Sequence, residues 1–380
     1  MATPAMKYTI TLLIALLLSP LTTLHAAELK LFSPLDYQVV QRNSVAQGRM
    51  EIAGELVGPE ILGTDVDVRI HFGNTADWIK VPINFKGAKL SGVIDAPAGG
   101  WYRVDVRVVH REKVIAEASV KHVGVGEVFV VAGQSNSANH GEAKQTPQTG
   151  RVASFDGTRW QLAADPQPGA SGMGGSFMPP LGDELVKKLD VPVGFIACGI
   201  GATSVREWLP KGATFPNPPT IESRVEKLPD GTWASKGKAY DAFIARMKPF
   251  CPEGFRAVLW HQGESDANQK ETTRTLSGKL YRENLERLIH DSRRDTSYDA
   301  PWIVAQASYH VPGDESSDDI RTAQASLWKD GIALQGPDSD AFKGKLRERD
   351  GQGVHFSDEG LRAHGIEWAN KLAPWLQSQP

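Results

Sequence analysis

The feature that most constrains the fold is a change in hydrophobic period near Val123. After that residue, short apolar stretches alternate with segments whose apolar residues recur every three or four positions. The predicted strands are 127–132, 191–197, 256–260 and 302–306, and the predicted helices are 180–189, 240–247, 280–290, 320–328 and 361–376. Strands separated by helices imply right-handed crossovers and a mostly parallel sheet with helices on both faces. The sequence therefore predicts an α/β fold for residues 123–380, with ligands bound where loops follow the strand ends.

Residues 28–122 have apolar side chains at every second position instead. Runs such as Val66-Val68-Ile70-Phe72 and Tyr102-Val104-Val106-Val108 are separated by clusters of Gly, Pro, Asn and Asp. This period of two, with turn signals and no helical segment, predicts a small all-β sandwich domain. Two long insertions rich in Gly and Pro, 139–178 and 211–238, are expected to shape a cleft beside the sheet.

The first 27 residues have the order of a secretory signal peptide. Lys7 precedes an apolar run over residues 10–18, and small residues follow at Ala26 and Ala27. The run is shorter than the roughly 20 residues that a membrane-spanning helix needs. We therefore expect cleavage near Ala26 or Ala27, a secreted or periplasmic protein, and no stable membrane insertion after cleavage.

Composition limits the partners and the cofactors. The chain has 42 Lys and Arg against 45 Asp and Glu, so it lacks the basic excess typical of nucleic-acid binders. Cys198 and Cys251 are the two cysteines, and an exported chain could join them, although Cys198 also fits a buried strand. No HxxxH or CxxC spacing is present. We expect no nucleic-acid partner, no metal and no cofactor.

Polar loops follow three of the predicted strands, and a fourth precedes the last helix. They are Gly133-Gln134-Ser135-Asn136, Cys198-Gly199-Ile200-Gly201-Ala202-Thr203-Ser204, Trp260-His261-Gln262-Gly263-Glu264-Ser265-Asp266 and Asp350-Gly351-Gln352-Gly353-Val354-His355. A serine at a strand-to-helix turn becomes a nucleophile when a histidine takes its proton and a carboxylate orients that histidine. Each loop also has a structural interpretation, such as a helix-capping serine or a tight turn. The rival bases are His140, His261, His310 and His364.

Taken together, the four strings resemble the four successive sequence blocks of the SGNH hydrolases. The GQSN and QGESD strings are most similar to the branch that contains sialate O-acetylesterases and family 6 carbohydrate esterases (acetyl xylan esterases). The resemblance covers about residues 123–376, and the β-rich segment before GQSN is similar to that of sialate O-acetylesterases.

This resemblance implies a flavodoxin-like, three-layer αβα fold and a serine esterase. Its substrate would be an acetylated carbohydrate of the sialate or xylan type, and an acetyl-enzyme would form without a cofactor. Ser135 would be the nucleophile and His355 the general base. The oxyanion hole would combine the backbone N–H groups of Ser135 and Gly201 with the side chain of Gln262. Asn136, Glu264 and Trp208 are the candidate substrate contacts.

One departure from the family pattern concerns the acid. Members of the family place it three residues before the histidine, where this chain has Gln352. Asp350, five residues before His355, is the nearest preceding carboxylate. Either a Gly-flanked loop lets Asp350 reach His355, which we favour, or a Ser-His dyad is oriented by a backbone carbonyl. Two other functions fit the fold: a non-catalytic carbohydrate-binding protein, and a lipase or thioesterase with an apolar acyl tunnel.

Overall fold

The computed structural model describes residues 27–58, 63–71 and 77–379, and the predicted signal peptide lies outside them apart from Ala27. The strands are β1 (Glu28–Ser33), β2 (Gln38–Gln41), β3 (Gln47–Val57), β4 (Thr64–His71), β5 (Ile79–Val81), β6 (Asn84–Lys86), β7 (Lys89–Pro97), β8 (Gly99–His110), β9 (Lys113–Gly133), β10 (Val152–Phe155), β11 (Trp160–Leu162), β12 (Val193–Ala197), β13 (Thr214–Phe215), β14 (Val225–Lys227), β15 (Trp233–Ser235), β16 (Ala257–His261), β17 (Trp302–Gln306) and β18 (Leu334–Asp338). The helices are α1 (Met178–Leu189), α2 (Lys238–Met247), α3 (Gly278–Thr296), α4 (Asp318–Lys329), the single irregular turn α5 (Glu348–Gly351) and α6 (Asp358–Gln377).

Strand β9 organises the larger sheet. Its last residues pair in parallel with β12 on one side and with β16 on the other. The parallel part runs in the order β10-β12-β9-β16-β17-β18, and β11 is antiparallel at the edge. Because the chain fills one side of β9 before it crosses to the other, the carboxyl ends of β9, β12 and β16 surround the switch point where such sheets bind ligands.

Helices cover both faces of this sheet. Val128 and Val130 of β9 belong to a core that also contains residues of α2, α3 and α4. The alternate residues, Phe129 and Val131, belong to a second core with residues of α1 and α6. Successive side chains of a strand point to opposite faces, which explains why an unbroken apolar stretch forms β9 here. The predicted α/β fold with a large, mostly parallel sheet is confirmed.

The described residues before β9 form strands and no helix. The strands β1, β3, β7 and β6 make a four-stranded antiparallel sheet, while β4, β5 and β8 join the first half of β9. A third core contains apolar residues from both groups of strands, among them Ile52, Val68 and Val104. Strand β9 continues through the predicted domain boundary after residue 122, so the division into 28–122 and 123–380 stays a prediction.

Several strands lie where loops were predicted. The segment 139–178 contains β10 and β11, and the segment 211–238 forms the small sheet β13-β15-β14. Cys198 and Cys251 are both free. Burial raises the pKa of the Cys198 thiol to about 11. In the described part of the chain, no helix is long and apolar enough to cross a membrane.

Candidate active site

Ser135 lies at the end of β9, in a turn that depends on Gly133. The φ of Gly133 is 129°, and a Cβ atom there would lie 2.1 Å from the carbonyl oxygen of His261. The Gln134 N–H donates to the same oxygen at 3.0 Å, which holds the ends of β9 and β16 together. The chain then forms the 3₁₀ turn Ser135–Ser137. The glycine therefore lets Ser135 leave the sheet at its carboxyl edge.

The loop after β12 is tied to the same strand end. Ile200 N–H donates to the Gly133 carbonyl at 2.9 Å, so Gly201 lies close to the Ser135 turn. Gly201 N–H donates to Oγ of Ser171 at 2.6 Å, and that oxygen lies 3.0 Å from Nε2 of His140. The amide that the family resemblance assigns to the oxyanion hole thus has a side-chain acceptor.

Gln262 does not occupy the position predicted for it. Its side chain is fully buried, and Nε2 donates to Asp266 Oδ2 at 2.8 Å and to the Thr203 carbonyl at 3.1 Å. Nε2 also lies 3.3 Å from Gln134 Oε1, so the two amide hydrogens have three buried acceptors. Gln262 is also absent from the cleft wall that contains Ser135. Its predicted role as an oxyanion donor is therefore corrected to that of a buried support for Asp266.

Asn136 and Glu264, the predicted substrate contacts, are both buried and hydrogen-bonded to each other, and of the two only Glu264 is part of the cleft wall. Asn136 Nδ2 donates to Glu264 Oε1 at 2.9 Å, and His261 Nε2 is 3.4 Å from the same oxygen. Burial raises the pKa of Glu264, but His261 and Asn136 outweigh that effect and bring it down to about 2. Glu264 Oε2 and Asn136 Oδ1 are buried and have no hydrogen-bond partner among the described residues. Both oxygens are therefore unpaired acceptors that are shielded from solvent.

His355 is oriented by a glutamate. Its Nδ1 lies 2.9 Å from Oε1 of Glu348, whose carboxylate also accepts the His355 backbone N–H at 3.3 Å. Arg347 and Phe356 form an antiparallel bridge, which places Glu348 opposite His355. With Nδ1–H donating to the carboxylate, Nε2 carries the lone pair that a general base needs.

Asp350 therefore does not make the predicted contact with His355. Its φ is 53°, in the left-handed region, and its side chain is exposed. The turn of α5 carries it away from the bridge that holds Glu348 and His355 together. The dyad alternative also fails to describe the site, because His355 has a carboxylate partner.

Arg347 supports this loop from inside the protein. Its buried guanidinium donates to the carbonyls of Phe342, Ser339 and Val354, and it lies between the rings of Tyr309 and Phe356. Burial lowers the pKa of Arg347 to about 10. The carbonyl of Val354, next to His355, also accepts from Asn136 Nδ2 at 3.2 Å, which links the serine loop and the histidine loop.

Trp208, a candidate substrate contact, is a core residue. Its side chain is fully buried, packs edge-on against Trp260 and Phe243, and donates from Nε1 to Thr203 Oγ1 at 2.9 Å. The reason is that the turn Val205–Trp208 is itself buried and held by a capping box from Ser204. Trp208 thus cannot stack on a sugar ring.

The loops enclose a cleft of about 670 Å³. Its wall includes Ser135, His140, Ser171, Gly201, Arg224, Glu264, His310, Glu348, Arg349 and His355. The structure thus brings together the predicted residues Ser135, Gly201, Glu264 and His355, and it leaves Gln262 and Trp208 outside. Among the described residues, no group of three or more His, Cys, Asp or Glu side chains is placed to hold a metal ion.

The cleft presents guanidinium groups. Arg224 Nη1 lies 3.1 Å from Glu207 Oε1, and 28% of the Arg224 side chain is exposed. Glu207 is buried, and burial raises its pKa to about 7, against the opposing effects of the Ser204 N–H and Arg224. Arg349 also lines the cleft and is exposed. The carboxylates of the cleft, by contrast, are engaged by His355 and His261.

Sequence reasoning missed Glu348, the Ser171–His140 pair and Arg224. Glu348 is seven residues before His355, and only the Arg347–Phe356 bridge shows that the two face each other. Ser171 and Arg224 lie in the two long insertions, where no periodicity indicates which side chains turn inward. The glycines Gly351 and Gly353 were the one available signal, since they indicated a loop that folds back.

Comparison with known proteins gives a family and a fold. The model of a family described as carbohydrate esterase, sialic acid-specific acetylesterase, matches residues 125–373. A carbohydrate acetylesterase from Xanthomonas citri is 19% identical over 91% of this chain and 73% of that one, with a TM-score of 0.51. NanS is 14% identical over 66% of this chain and 96% of that one, with a TM-score of 0.43. No curated protein sequence matches the chain.

Proposed function

The chain belongs to the carbohydrate esterase family described as sialic acid-specific acetylesterase, and we propose that it is a serine O-acetylesterase acting on an acetylated glycan. The observation that carries the proposal is that Ser135 and His355 line one cleft while Glu348 engages Nδ1 of His355. A serine hydroxyl is a weak nucleophile and needs a base whose tautomer is fixed. The likeness of fold to a carbohydrate acetylesterase from Xanthomonas citri supports the same chemistry.

In the proposed mechanism, His355 Nε2 takes the proton of Ser135 as Oγ attacks the acetyl carbonyl. The bond between the carbonyl carbon and the sugar oxygen then breaks, and the leaving sugar oxygen receives the proton from His355. Water attacks the acetyl-enzyme, again giving its proton to His355, and Ser135 regains a proton as acetate leaves. Glu348 keeps Nδ1 protonated and stabilises the imidazolium that forms.

The negative charge that develops on the carbonyl oxygen needs hydrogen-bond donors. We assign one to the backbone N–H of Ser135 and one to the Gly201 side of the cleft. Such donors are already in position before the reaction and need no reorganisation during it. Their hydrogen bonds to the oxyanion therefore supply a large part of the rate enhancement. Gln262 has no place in this scheme, because its amide hydrogens are directed to the buried acceptors of Asp266, Thr203 and Gln134.

The charges of the cleft favour an acidic sugar of the sialate type over neutral xylan. Arg224 and Arg349 line the cleft, and a guanidinium binds a carboxylate with paired, charge-assisted hydrogen bonds. Glu264 lines the same cleft, and its carboxylate has one unpaired acceptor oxygen for a sugar hydroxyl group. We assign substrate contacts to Arg224 and Glu264, and we assign to Asn136 the role of holding Glu264 through its side-chain amide.

The proposal also includes an SGNH-type three-layer arrangement, a preceding β-sandwich domain and export of the mature chain. The cores on the two faces of the large sheet support the three layers. The core shared by the strands before β9 supports the sandwich. Export rests on the sequence of residues 1–27 alone.

The test is hydrolysis of 4-nitrophenyl acetate and of an O-acetylated sialic acid by the purified mature protein, beside Ser135→Ala. We expect turnover by the wild type and a loss of at least about 10⁴-fold in kcat for the variant. A variant with wild-type turnover would overturn the serine mechanism. A wild type that binds acetylated sugars without cleaving them would favour a carbohydrate-binding protein, and a preference for octanoyl over acetyl esters would favour a lipase or thioesterase.

A further inference from the structure

A second imidazole-hydroxyl pair faces the same cleft. Ser171 Oγ lies 3.0 Å from Nε2 of His140, and the Gly201 N–H donates to the same oxygen at 2.6 Å. All three residues line the cleft with Ser135 and His355. The pair comes from the long insertion before α1, which carries none of the family sequence blocks.

This arrangement is tightly confined. A Cβ atom at Gly201 would lie 2.7 Å from Nε2 of His140 and 3.4 Å from Ser171 Oγ. Backbone bonds hold Ser171 from both sides, since its N–H donates to the Gly199 carbonyl and its carbonyl accepts from Asn139 N–H, each at 2.9 Å. Ser171 Oγ is therefore fixed over the Gly201 amide.

The geometry has a consequence for the oxyanion hole. A direct bond from Gly201 N–H to the carbonyl oxygen would have to displace the hydroxyl of Ser171. If Ser171 stays and His140 is in its Nε2–H tautomer, Gly201 N–H and His140 Nε2–H both donate to Oγ. Its two acceptor positions are then filled, and its own hydrogen is directed into the cleft. Hydrogen bonds in series polarise one another, so this O–H becomes a stronger donor than an isolated serine.

The surroundings of His140 agree with a neutral ring that has one N–H to give. Its ring stacks on His355, with centroids 5.5 Å apart and an angle of 28° between the planes. Burial, and next the charge of His355, lower the pKa of His140, while Glu348 opposes them.

We propose that the Ser171 hydroxyl donates the Gly201-side hydrogen bond to the oxyanion of the acetyl intermediate, and that His140 is a positioning residue that directs this hydroxyl. The proposal rests on the proposed esterase function and adds a catalytic residue to it. Gly201 then acts through Ser171 rather than on the substrate.

The test compares kcat and KM for 4-nitrophenyl acetate in the wild type, Ser171→Ala, His140→Phe and His140→Gln. We expect Ser171→Ala to lower kcat by about 10²- to 10³-fold with KM within a few-fold, as for other oxyanion donors. His140→Phe should lower kcat as well, since phenylalanine keeps the ring without the N–H. His140→Gln, which puts an amide N–H near the position of Nε2, should recover most of that loss. The double variant Ser171→Ala/His140→Phe should be no slower than Ser171→Ala alone.

Different results would contradict the role of Ser171 and the role of His140. A kcat for Ser171→Ala that is equal to or above that of the wild type would show that Gly201 donates directly and would overturn the proposal. Equal losses in His140→Phe and His140→Gln would overturn the role of His140. Circular dichroism and thermal melting of each variant separate these results from misfolding. The Ser135→Ala variant tests the esterase function itself. If the wild type is active and Ser135→Ala is inactive, the esterase function stands whatever the result for Ser171→Ala. A wild type that is inactive on every acetyl ester would overturn both proposals.

Discussion

Oε1 of Glu348 lies 2.9 Å from Nδ1 of His355, and the backbones of the two residues are also hydrogen-bonded, with Glu348 N–H donating to the His355 carbonyl at 2.9 Å. Residues opposite each other in an antiparallel pairing present their side chains to the same side. The glutamate is therefore built into the histidine loop, and in the proposed mechanism it takes the role of the aspartate that the family resemblance places three residues before the histidine.

The first prediction concerns this carboxylate. Glu348→Gln should lower kcat for 4-nitrophenyl acetate by about 10³- to 10⁴-fold, because an amide can present its N–H to Nδ1 and stabilise the wrong tautomer of His355. Asp350→Asn is the matched control, since it makes the same chemical change on an exposed side chain two residues away. A large loss in Asp350→Asn with an active Glu348→Gln would reverse the two assignments.

A second prediction concerns Arg224. If its guanidinium binds a substrate carboxylate, Arg224→Gln should reduce the preference for an O-acetylated sialic acid over the methyl ester of that sugar. The ratio of the two kcat/KM values should fall about tenfold, as expected for one charge-assisted hydrogen bond. Arg159→Gln is the control, because Arg159 is an exposed arginine outside the cleft wall. An unchanged ratio in Arg224→Gln would mean either that the substrate carboxylate binds elsewhere in the cleft or that the substrate is a neutral sugar.

A third prediction follows from the raised pKa of Glu207, which is about 7 in the folded protein against 4.5 as its ordinary value. Between these two pH values the folded state holds a proton that the unfolded state releases, so stability falls as pH rises through this window. Glu207→Gln removes this titration and keeps an acceptor for the Ser204 N–H. The difference between the Tm of the variant and the Tm of the wild type should therefore shift in favour of the variant as the pH rises from 5 to 7.5. The corresponding change is on the order of 1 to 3 kcal/mol, and a Tm difference that is the same at both pH values would contradict it.

A fourth prediction concerns Gly133. An alanine there would place Cβ 2.1 Å from the His261 carbonyl at a φ of 129°, so the ends of β9 and β16 must separate. Gly133→Ala should lose at least about 4 kcal/mol of stability, or fail to give folded protein. Gly150→Ala is the matched control, because its φ of 66° is also positive but nothing lies within 4 Å of its Cβ. It should cost about 1 to 2 kcal/mol. Equal losses in urea unfolding would show that the contact with His261 does not matter.

Much of the sheet could be predicted, because its central strands are buried on both faces and so read as short apolar stretches. The edge strand β18 escaped prediction because Leu334 and Gln335 are exposed and leave no such stretch. The five predicted helices are all present, each within a few residues, except that α3 continues to Thr296.

The predictable part of the site comprises the residues that follow strand ends and His355, which the family resemblance identified before the last helix. Ser135, Gly201 and Glu264 follow strands directly, so topology alone gathers them at one edge. Gln262 also follows a strand, but its side chain turns inward to Asp266. Glu348 and Ser171 depend on tertiary pairing of loops, which spacing along the chain does not encode.

The 21-residue strand β9 joins the strands near the start of the chain to the turn that carries Ser135. Its first half pairs with β8, and its second half pairs with β12 and β16. Inserting or deleting one residue in its middle would turn every following side chain to the opposite face, exchanging the two cores and misdirecting the serine. A graft or truncation that keeps the proposed esterase site must therefore carry the whole of β9 with it, and homologues that lengthen this strand should do so in steps of two residues.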